Sequence, residues 1–313
     1  MSHTKQFALV FPGQGSQSVG MLKALAAAYP IVGETFTEAR DVLGLDLWDI
    51  IQHGPEEQLN RTTVTQPALL AADIACYRAW RAQGGPAPDW TAGHSLGEYA
   101  ALVCAGSLRF ADALMLVAHR GRLMQEAVPE GAGAMAAILG LEDGAVQKLC
   151  GDAALGEVLA AVNYNAPGQV VIAGTKAAVD RAIAGAKAAG AKRAIPLTVS
   201  VPSHCALMRP AALKFAHELA PITIESPAIP VIHNWNVDQA SSPERIREAL
   251  VNQLFSPVRW VETIQRMGTL GATSILECGP GKILTGLNKR IVELPCLAIG
   301  EPADLLAAVA GLS

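Results

Sequence analysis

Short apolar runs alternate along the chain with longer stretches in which apolar residues recur at helical spacing, the order expected of an α/β fold with a parallel sheet. Residues 7–11 are wholly apolar and stop at Pro12-Gly13, as a strand covered on both faces does. Helical segments follow, among them residues 66–83. A second short strand is predicted at 90–93, ending in a turn at His94-Ser95, with helices over 97–105 and 109–127. From about residue 131 the rhythm changes. A strand at 134–139, a helix at 142–149, strands at 158–164 and 169–173 about the turn Asn165-Ala166-Pro167-Gly168, a helix at 176–189 and a strand at 193–199 read β-α-β-β-α-β. The first rhythm then returns, with strands at 230–235, 274–278 and 296–299 and helices near 243–254, 258–270, 282–290 and the C-terminus. The expected fold class is α/β: a parallel-sheet domain of residues 1–130 and 200–313, carrying a ferredoxin-like (βαββαβ) insertion of residues 131–199.

Composition narrows the class. Of 313 residues, 51% are hydrophobic and 17% charged, which excludes a disordered chain and leaves one large or two modest domains with a full core. The 24 Lys and Arg against 28 Asp and Glu, with no basic block, argue against nucleic acid as the main substrate. No apolar run approaches the length of a membrane span, and residues 1–6 are polar up to the first strand, so a soluble, cytoplasmic protein is expected. Cys76, Cys104, Cys150, Cys205, Cys278 and Cys296 are scattered without metal-ligand spacing and read as packed thiols; no metal is expected.

The sharpest local signal is Gly93-His94-Ser95-Leu96-Gly97, a G-x-S-x-G turn between a strand and a helix. Glycines two positions either side of the serine allow a tight turn that lifts its hydroxyl above the sheet. The N–H of Leu96, at the helix start, then faces any oxyanion formed there. A serine nucleophile needs a base. Of seven histidines, His3 is terminal, His53 precedes a Gly-Pro loop, His94 adjoins the serine and diverges from it, and His119 and His217 lie in helical stretches. His204 and His233 remain, both near predicted strand ends, and His204 is better placed where the chain re-enters the larger domain. No acidic residue between Ser95 and His204 presents an obvious strand-end partner, so a Ser–His dyad oriented by a backbone carbonyl is expected in place of a full triad.

Pro12-Gly13-Gln14-Gly15-Ser16-Gln17 fails the dinucleotide pattern because residue 18 is Ser. Neither this loop nor Gly279-Pro280-Gly281-Lys282 fits a P-loop. Gln14 is either a second oxyanion donor or part of a plain turn. Arg120 falls on the apolar stripe of Ala113, Leu116, Val117, Leu123 and Met124, whereas Arg122 points to solvent. A guanidinium there is costly unless paired. It is either in an internal ion pair with Glu98 or Glu126, or a clamp for a substrate carboxylate.

Together these segments resemble the malonyl-CoA:acyl carrier protein transacylases of bacterial fatty-acid synthesis over essentially the whole chain. The resemblance rests on Phe11 to Gln17, Gly93 to Tyr99, Arg120 to Gln125, Asn163 to Gln169, Val201 to His204, Gln253-Leu254 and Glu277 to Gly281. It implies an α/β-hydrolase-like domain with a ferredoxin-like subdomain. It also implies Ser95 as the acylated nucleophile, His204 as its base, Gln14 and Leu96 as oxyanion-hole donors, and Arg120 as the partner of the malonyl carboxylate. By the same resemblance the Gln253 carbonyl orients the imidazole, and Asn163 and Asn165 line the cleft. Ala166 and Phe255 stand where the family commonly has serine and tyrosine, away from the chemistry. Malonyl-CoA and acyl carrier protein are the implied partners. The carrier would dock on some of Lys187, Lys192, Arg193, Lys282, Lys289 and Arg290. No cofactor is expected, since phosphopantetheine arrives on the partner, and a monomer is expected. Competing readings are a serine hydrolase, a relative serving polyketide synthases or malonate decarboxylase, and a catalytically silent scaffold.

Overall fold

The computed structural model describes residues 6–198 and 201–312, and two separate sheets organise it. Strands β1 (Phe7–Phe11), β2 (Trp90–Gly93), β7 (Ser274–Glu277) and β8 (Cys296–Ala298) form the first, in the order β2-β1-β7-β8 with every pair parallel. The five side chains of β1 alternate between two apolar clusters. Phe7, Leu9 and Phe11 pack under the helices Thr62–Ala82 and Phe110–Ala127, and Ala8 and Val10 meet Trp260, Ile264 and Met267 on the other side. Burial on both faces explains the unbroken apolar run in the sequence.

Strands β3 (Gly133–Leu139), β4 (Leu159–Ala166), β5 (Gln169–Thr175) and β6 (Arg193–Pro196) form the second sheet, antiparallel throughout in the order β4-β5-β3-β6. The helices Asp143–Ala154 and Lys176–Ala186 pack on one face of it around Ile138, Val146, Val170, Ile172 and Val179. This is the ferredoxin-like arrangement. It is tied to the larger body by a bridge from the middle of β4 to Val258: Val258 N–H donates to Val162 O at 2.8 Å and Tyr164 N–H donates to Val258 O at 3.0 Å.

The strand expected at 230–235 does not form. Residues 231 and 232 make only isolated bridges, to Thr91 and Gln239, and the segment turns away at Asn234. Val231 and Ile232 are buried, but the polar side chains of His233 and Asn234 are committed to the site described below and not to a ladder. The helix expected from 142 to 149 extends to Ala154, and the hairpin turn narrows to Pro167-Gly168 because β4 continues through Ala166. His3 and Val199 lie outside the described residues. Among the described residues, no helix is long and apolar enough to cross a membrane, and no cluster of His, Cys, Asp and Glu would hold a metal ion.

Candidate active site

The chain leaves β2 at Gly93 and enters the helix Gly97–Cys104 so abruptly that two glycines are obligatory. A Cβ on Gly93 would lie 1.8 Å from the Gly97 carbonyl carbon, and one on Gly97 would lie 2.2 Å from Phe11 O. Between them Ser95 adopts φ +51°, a left-handed conformation costly for a residue with a side chain. A third close approach brings the Gln14 loop alongside: a Cβ on Gly13 would lie 2.3 Å from His94 O.

The structure brings Ser95 and His204 together. Ser95 Oγ lies 2.7 Å from His204 Nε2, and His204 Nδ1 lies 2.8 Å from the Gln253 carbonyl. A carbonyl oxygen only accepts, so Nδ1 carries the hydrogen and Nε2 is left to receive the serine proton. His204 is 3% exposed and itself has φ +63°. Burial, and after it the Arg120 guanidinium, lower the imidazole from its ordinary value to about 3, so it is neutral and proton-accepting at physiological pH. His233, the other candidate base, is elsewhere: its Nδ1 donates to Glu98 Oε1 at 2.7 Å.

Arg120 is 2% exposed and touches the nucleophile. Nη2 donates to Ser95 Oγ at 3.2 Å and to Gln253 Oε1 at 3.0 Å, Nη1 donates to Gln66 Oε1 at 2.8 Å, and Nε is buried without a partner. Neither ion pair considered for it forms. Glu126 pairs with Arg122 on the surface, and Glu98 is separated from Arg120 by the Gln253 amide, which donates from Nε2 to Glu98 Oε2 at 2.9 Å. Gln253 is anchored at the end of the helix Pro243–Gln253, whose start is fixed by Ser242 capping Arg245 N–H and by proline at the first turn. The guanidinium therefore keeps its charge buried among neutral partners, with the Tyr99 ring 5.8 Å away. A buried cation with no carboxylate in direct contact costs several kcal/mol, and Glu98, the nearest counter-charge, acts on it only across the Gln253 amide.

Glu98 ties these parts together. Fully buried, it accepts from His233 Nδ1, Asn234 N–H at 3.0 Å and Gln253 Nε2. Asn234 in turn accepts from Ser95 N–H at 2.7 Å and donates to Gly93 O at 2.7 Å, clamping both sides of the elbow. Ser95 N–H is spent on Asn234; Leu96 follows it in the chain, and Gln14 lies on the loop that Gly13 brings against His94. Both residues line the inner pocket, about 90 Å³, with Ser95, Arg120, Met124 and His204. This opens into an outer cleft of about 330 Å³ that runs along the Gln14 loop to Asn163, Asn165 and Ile283. Asn165 Oδ1 receives His94 Nε2 at 2.8 Å, and Asn163 Oδ1 is buried with no partner.

An acyl transferase domain family matches residues 8–290. The malonyl CoA-acyl carrier protein transacylase of Escherichia coli K12 is 60% identical over 305 residues, covering 97% of this chain and 99% of that protein. The crystal structure of an acyl carrier protein S-malonyltransferase from Vibrio cholerae superposes with a TM-score of 0.94 at 57% identity, covering 97% of this chain and 99% of that one. A malonyl-transacylase in complex with a type II PKS acyl-carrier protein gives 0.97 at 56% identity, covering 98% and 100%. The chain belongs to the malonyl-CoA:acyl carrier protein transacylase family. The α/β-hydrolase-like domain with a ferredoxin-like subdomain is thus the fold of a transacylase.

Three residues of this transacylase site escaped the sequence reading, Gln66, Asn234 and His233 as a network member, and Glu98 entered it only as a candidate ion-pair partner of Arg120. One signal was present for Glu98, a carboxylate in the otherwise apolar segment Gly97–Cys104. Glu98→Gln replaces a charged three-fold acceptor by an amide whose nitrogen must face at least one of its donors. The variant should lose about 3 kcal/mol of stability, the scale of breaking a buried ionic network. Urea unfolding reads this directly, and an unshifted midpoint would show that the three donors find other acceptors.

Proposed function

We propose that the protein transfers a malonyl group from malonyl-CoA to the phosphopantetheine thiol of acyl carrier protein, in fatty-acid biosynthesis, through a malonyl ester on Ser95. The observation that carries this reading is the placement of a buried guanidinium, without a carboxylate partner, 3.2 Å from a serine oxygen that is itself 2.7 Å from a neutral imidazole. A nucleophile, its base and a vacancy for an anion occupy one small pocket.

In the first half-reaction Ser95 Oγ attacks the thioester carbon while its proton passes to His204 Nε2. The Leu96 and Gln14 amides hold the oxyanion; a donor of this kind is worth about 3 kcal/mol in comparable sites, or some two orders of magnitude in rate. The C–S bond breaks and the proton moves from His204 to the departing CoA thiolate. In the second half, the carrier's thiol gives its proton to His204 and its sulfur bonds to the ester carbon; the C–O bond then breaks and His204 returns the proton to Ser95 Oγ. One site serves both halves in turn, so the kinetics are ping-pong. Arg120 pairs with the malonyl carboxylate, Gln253 orients the imidazole through its carbonyl, and Asn163 and Asn165 line the path of the pantetheine arm.

The same reading divides the chain at residues 131–199, places it in the cytoplasm as a monomer and requires no cofactor. Lys187, Lys192, Arg193, Lys282, Lys289 and Arg290 are all exposed, although Lys282 is paired with Asp304 and Arg290 with Gln169 and the Pro167 carbonyl. Lys282 and Arg290 flank the segment 283–287 that borders the outer cleft, and so are the two best situated to meet an acidic carrier.

Three outcomes are expected. Intact-mass analysis after malonyl-CoA should show one malonyl group gained and then lost on addition of carrier protein, with nothing gained by Ser95→Ala; a labelled alanine variant would place the nucleophile elsewhere. Arg120→Ala should depress malonyl transfer by about a hundredfold and acetyl transfer far less; steady-state comparison of the two donors checks this, and equal losses would refute the clamp. The rate of CoA release in the first turnover should show no inflection at the ordinary imidazole value near 6.5. The base works when deprotonated, and its lowered value moves the acid limb well below that point. Stopped-flow measurement across the acid range reads the limb directly, and one centred near 6.5 would mean the imidazole is not shielded in the working enzyme.

A further inference from the structure

The hydrogens of the Arg120 guanidinium can be set against their acceptors. Nη1 serves Gln66 Oε1; Nη2, with two hydrogens, serves Gln253 Oε1 at 3.0 Å and Ser95 Oγ at 3.2 Å; Nε has no partner. A guanidinium offers a carboxylate two forks, Nη1 with Nη2 or Nε with Nη2, so Nη2 belongs to both. Bidentate pairing therefore needs a hydrogen that one of its present acceptors already holds. Gln253 is poorly placed to yield, because its own amide nitrogen is tied to Ser95 O at 3.0 Å and to Glu98 Oε2 at 2.9 Å. The Ser95 bond is the longest of the three and is the one that faces the pocket.

We propose that the substrate's carboxylate, in pairing with Arg120, draws Nη2 off Ser95 Oγ and so releases the nucleophile for attack. The inference rests on the reading of Arg120 as the carboxylate's partner. It adds that the carboxylate accelerates the chemical step and does more than anchor the substrate.

An alcohol oxygen has one hydrogen and two lone pairs. In the unloaded site the hydrogen is directed at His204 Nε2, and one lone pair is held by a cationic donor. Bond formation to the thioester carbon needs a lone pair, and one held in that way is the poorer nucleophile. Pairing also neutralises the charge that, after burial itself, does most to weaken the imidazole as a base. Both changes act in one direction. A thioester bearing a carboxylate meets a free oxygen and a stronger base, whereas an acetyl thioester meets neither. Ser95 Oγ then bonds to the carbonyl carbon as its proton passes to His204, and collapse breaks the C–S bond with the proton going on to the thiolate. Discrimination against acetyl arises in the rate as well as in the affinity.

The test supplies the malonyl group in two pieces, acetyl-CoA and formate. CoA release in the first turnover is measured with the wild-type enzyme at saturating acetyl-CoA, with sodium chloride holding ionic strength constant. Formate is raised to the concentration at which it inhibits acylation by malonyl-CoA competitively. It should then accelerate acetylation of Ser95 saturably, by about tenfold, the worth of one weak charge-assisted hydrogen bond, and it should not accelerate Arg120→Ala. Competition without acceleration would overturn the release and leave Arg120 as the carboxylate's partner. Failure of formate to compete would overturn both, and acceleration that persists in Arg120→Ala would assign the effect to some other site.

Discussion

A single buried carboxylate fixes the geometry on which the chemistry depends. Glu98 accepts three hydrogen bonds, and each leads to a different working part of the site: Asn234 to the elbow, Gln253 to the guanidinium and to the imidazole, and His233 to the segment that presents Asn234. The strained φ of Ser95 persists because its N–H and the Gly93 carbonyl are both taken by one asparagine side chain. Glu98 is also the nearest counter-charge to Arg120, but one amide removed. A direct ion pair would satisfy the guanidinium and leave it indifferent to substrate. The interposed Gln253 supplies an acceptor without supplying a charge.

How far the sequence disclosed this arrangement follows from where the information lies. The nucleophile turn was legible because its constraint is local: two glycines, a serine and a change from strand to helix within five residues. The ferredoxin-like unit was legible because hydrophobic period alone separates its strands from its helices, and its element order holds although its boundaries moved by up to five residues. Residues 230–235 misled because an apolar segment buried beside a sheet looks like a strand whether or not its backbone joins the ladder. Gln66 and Asn234 were silent for a different reason. They meet their partners across 54 and 139 positions of sequence, and nothing in an isolated Gln or Asn marks it as the acceptor for a distant guanidinium or amide. For Arg120 the sequence required a partner and offered two candidates, and tertiary structure supplied neither.

The two sheets divide the labour of recognition. The parallel sheet delivers Ser95 and the Gln14 loop from the ends of β2 and β1, the usual location of sites in open α/β sheets. The antiparallel subdomain delivers Met135, Asn163 and Asn165 from the opposite wall, and the His94–Asn165 bond fastens that wall to the residue preceding the nucleophile. The acid-free dyad is consistent with this division. The imidazole needs no carboxylate to hold it, since a backbone carbonyl fixed by the Glu98 network already sets its tautomer.

The relative sizes of the two cavities bear on why transfer to a thiol can outrun loss to water. The inner pocket, about 90 Å³, has room for a small acyl group, and the outer cleft, about 330 Å³, receives whatever carries the thiol. CoA and the carrier present the same pantetheine arm, so one cleft fits the leaving thiol of the first half-reaction and the attacking thiol of the second. Between the halves the cleft is empty and the ester is most exposed to hydrolysis. In the proposed mechanism the malonyl carboxylate stays paired with Arg120 at that moment, in a pocket that Met124 and Met135 also line, and the pairing keeps the guanidinium from drawing water to the ester. An acyl group without the carboxylate would leave the same cation free to solvate the carbonyl's surroundings. On the proposed pairing, one cation both admits the substrate and keeps water from the intermediate.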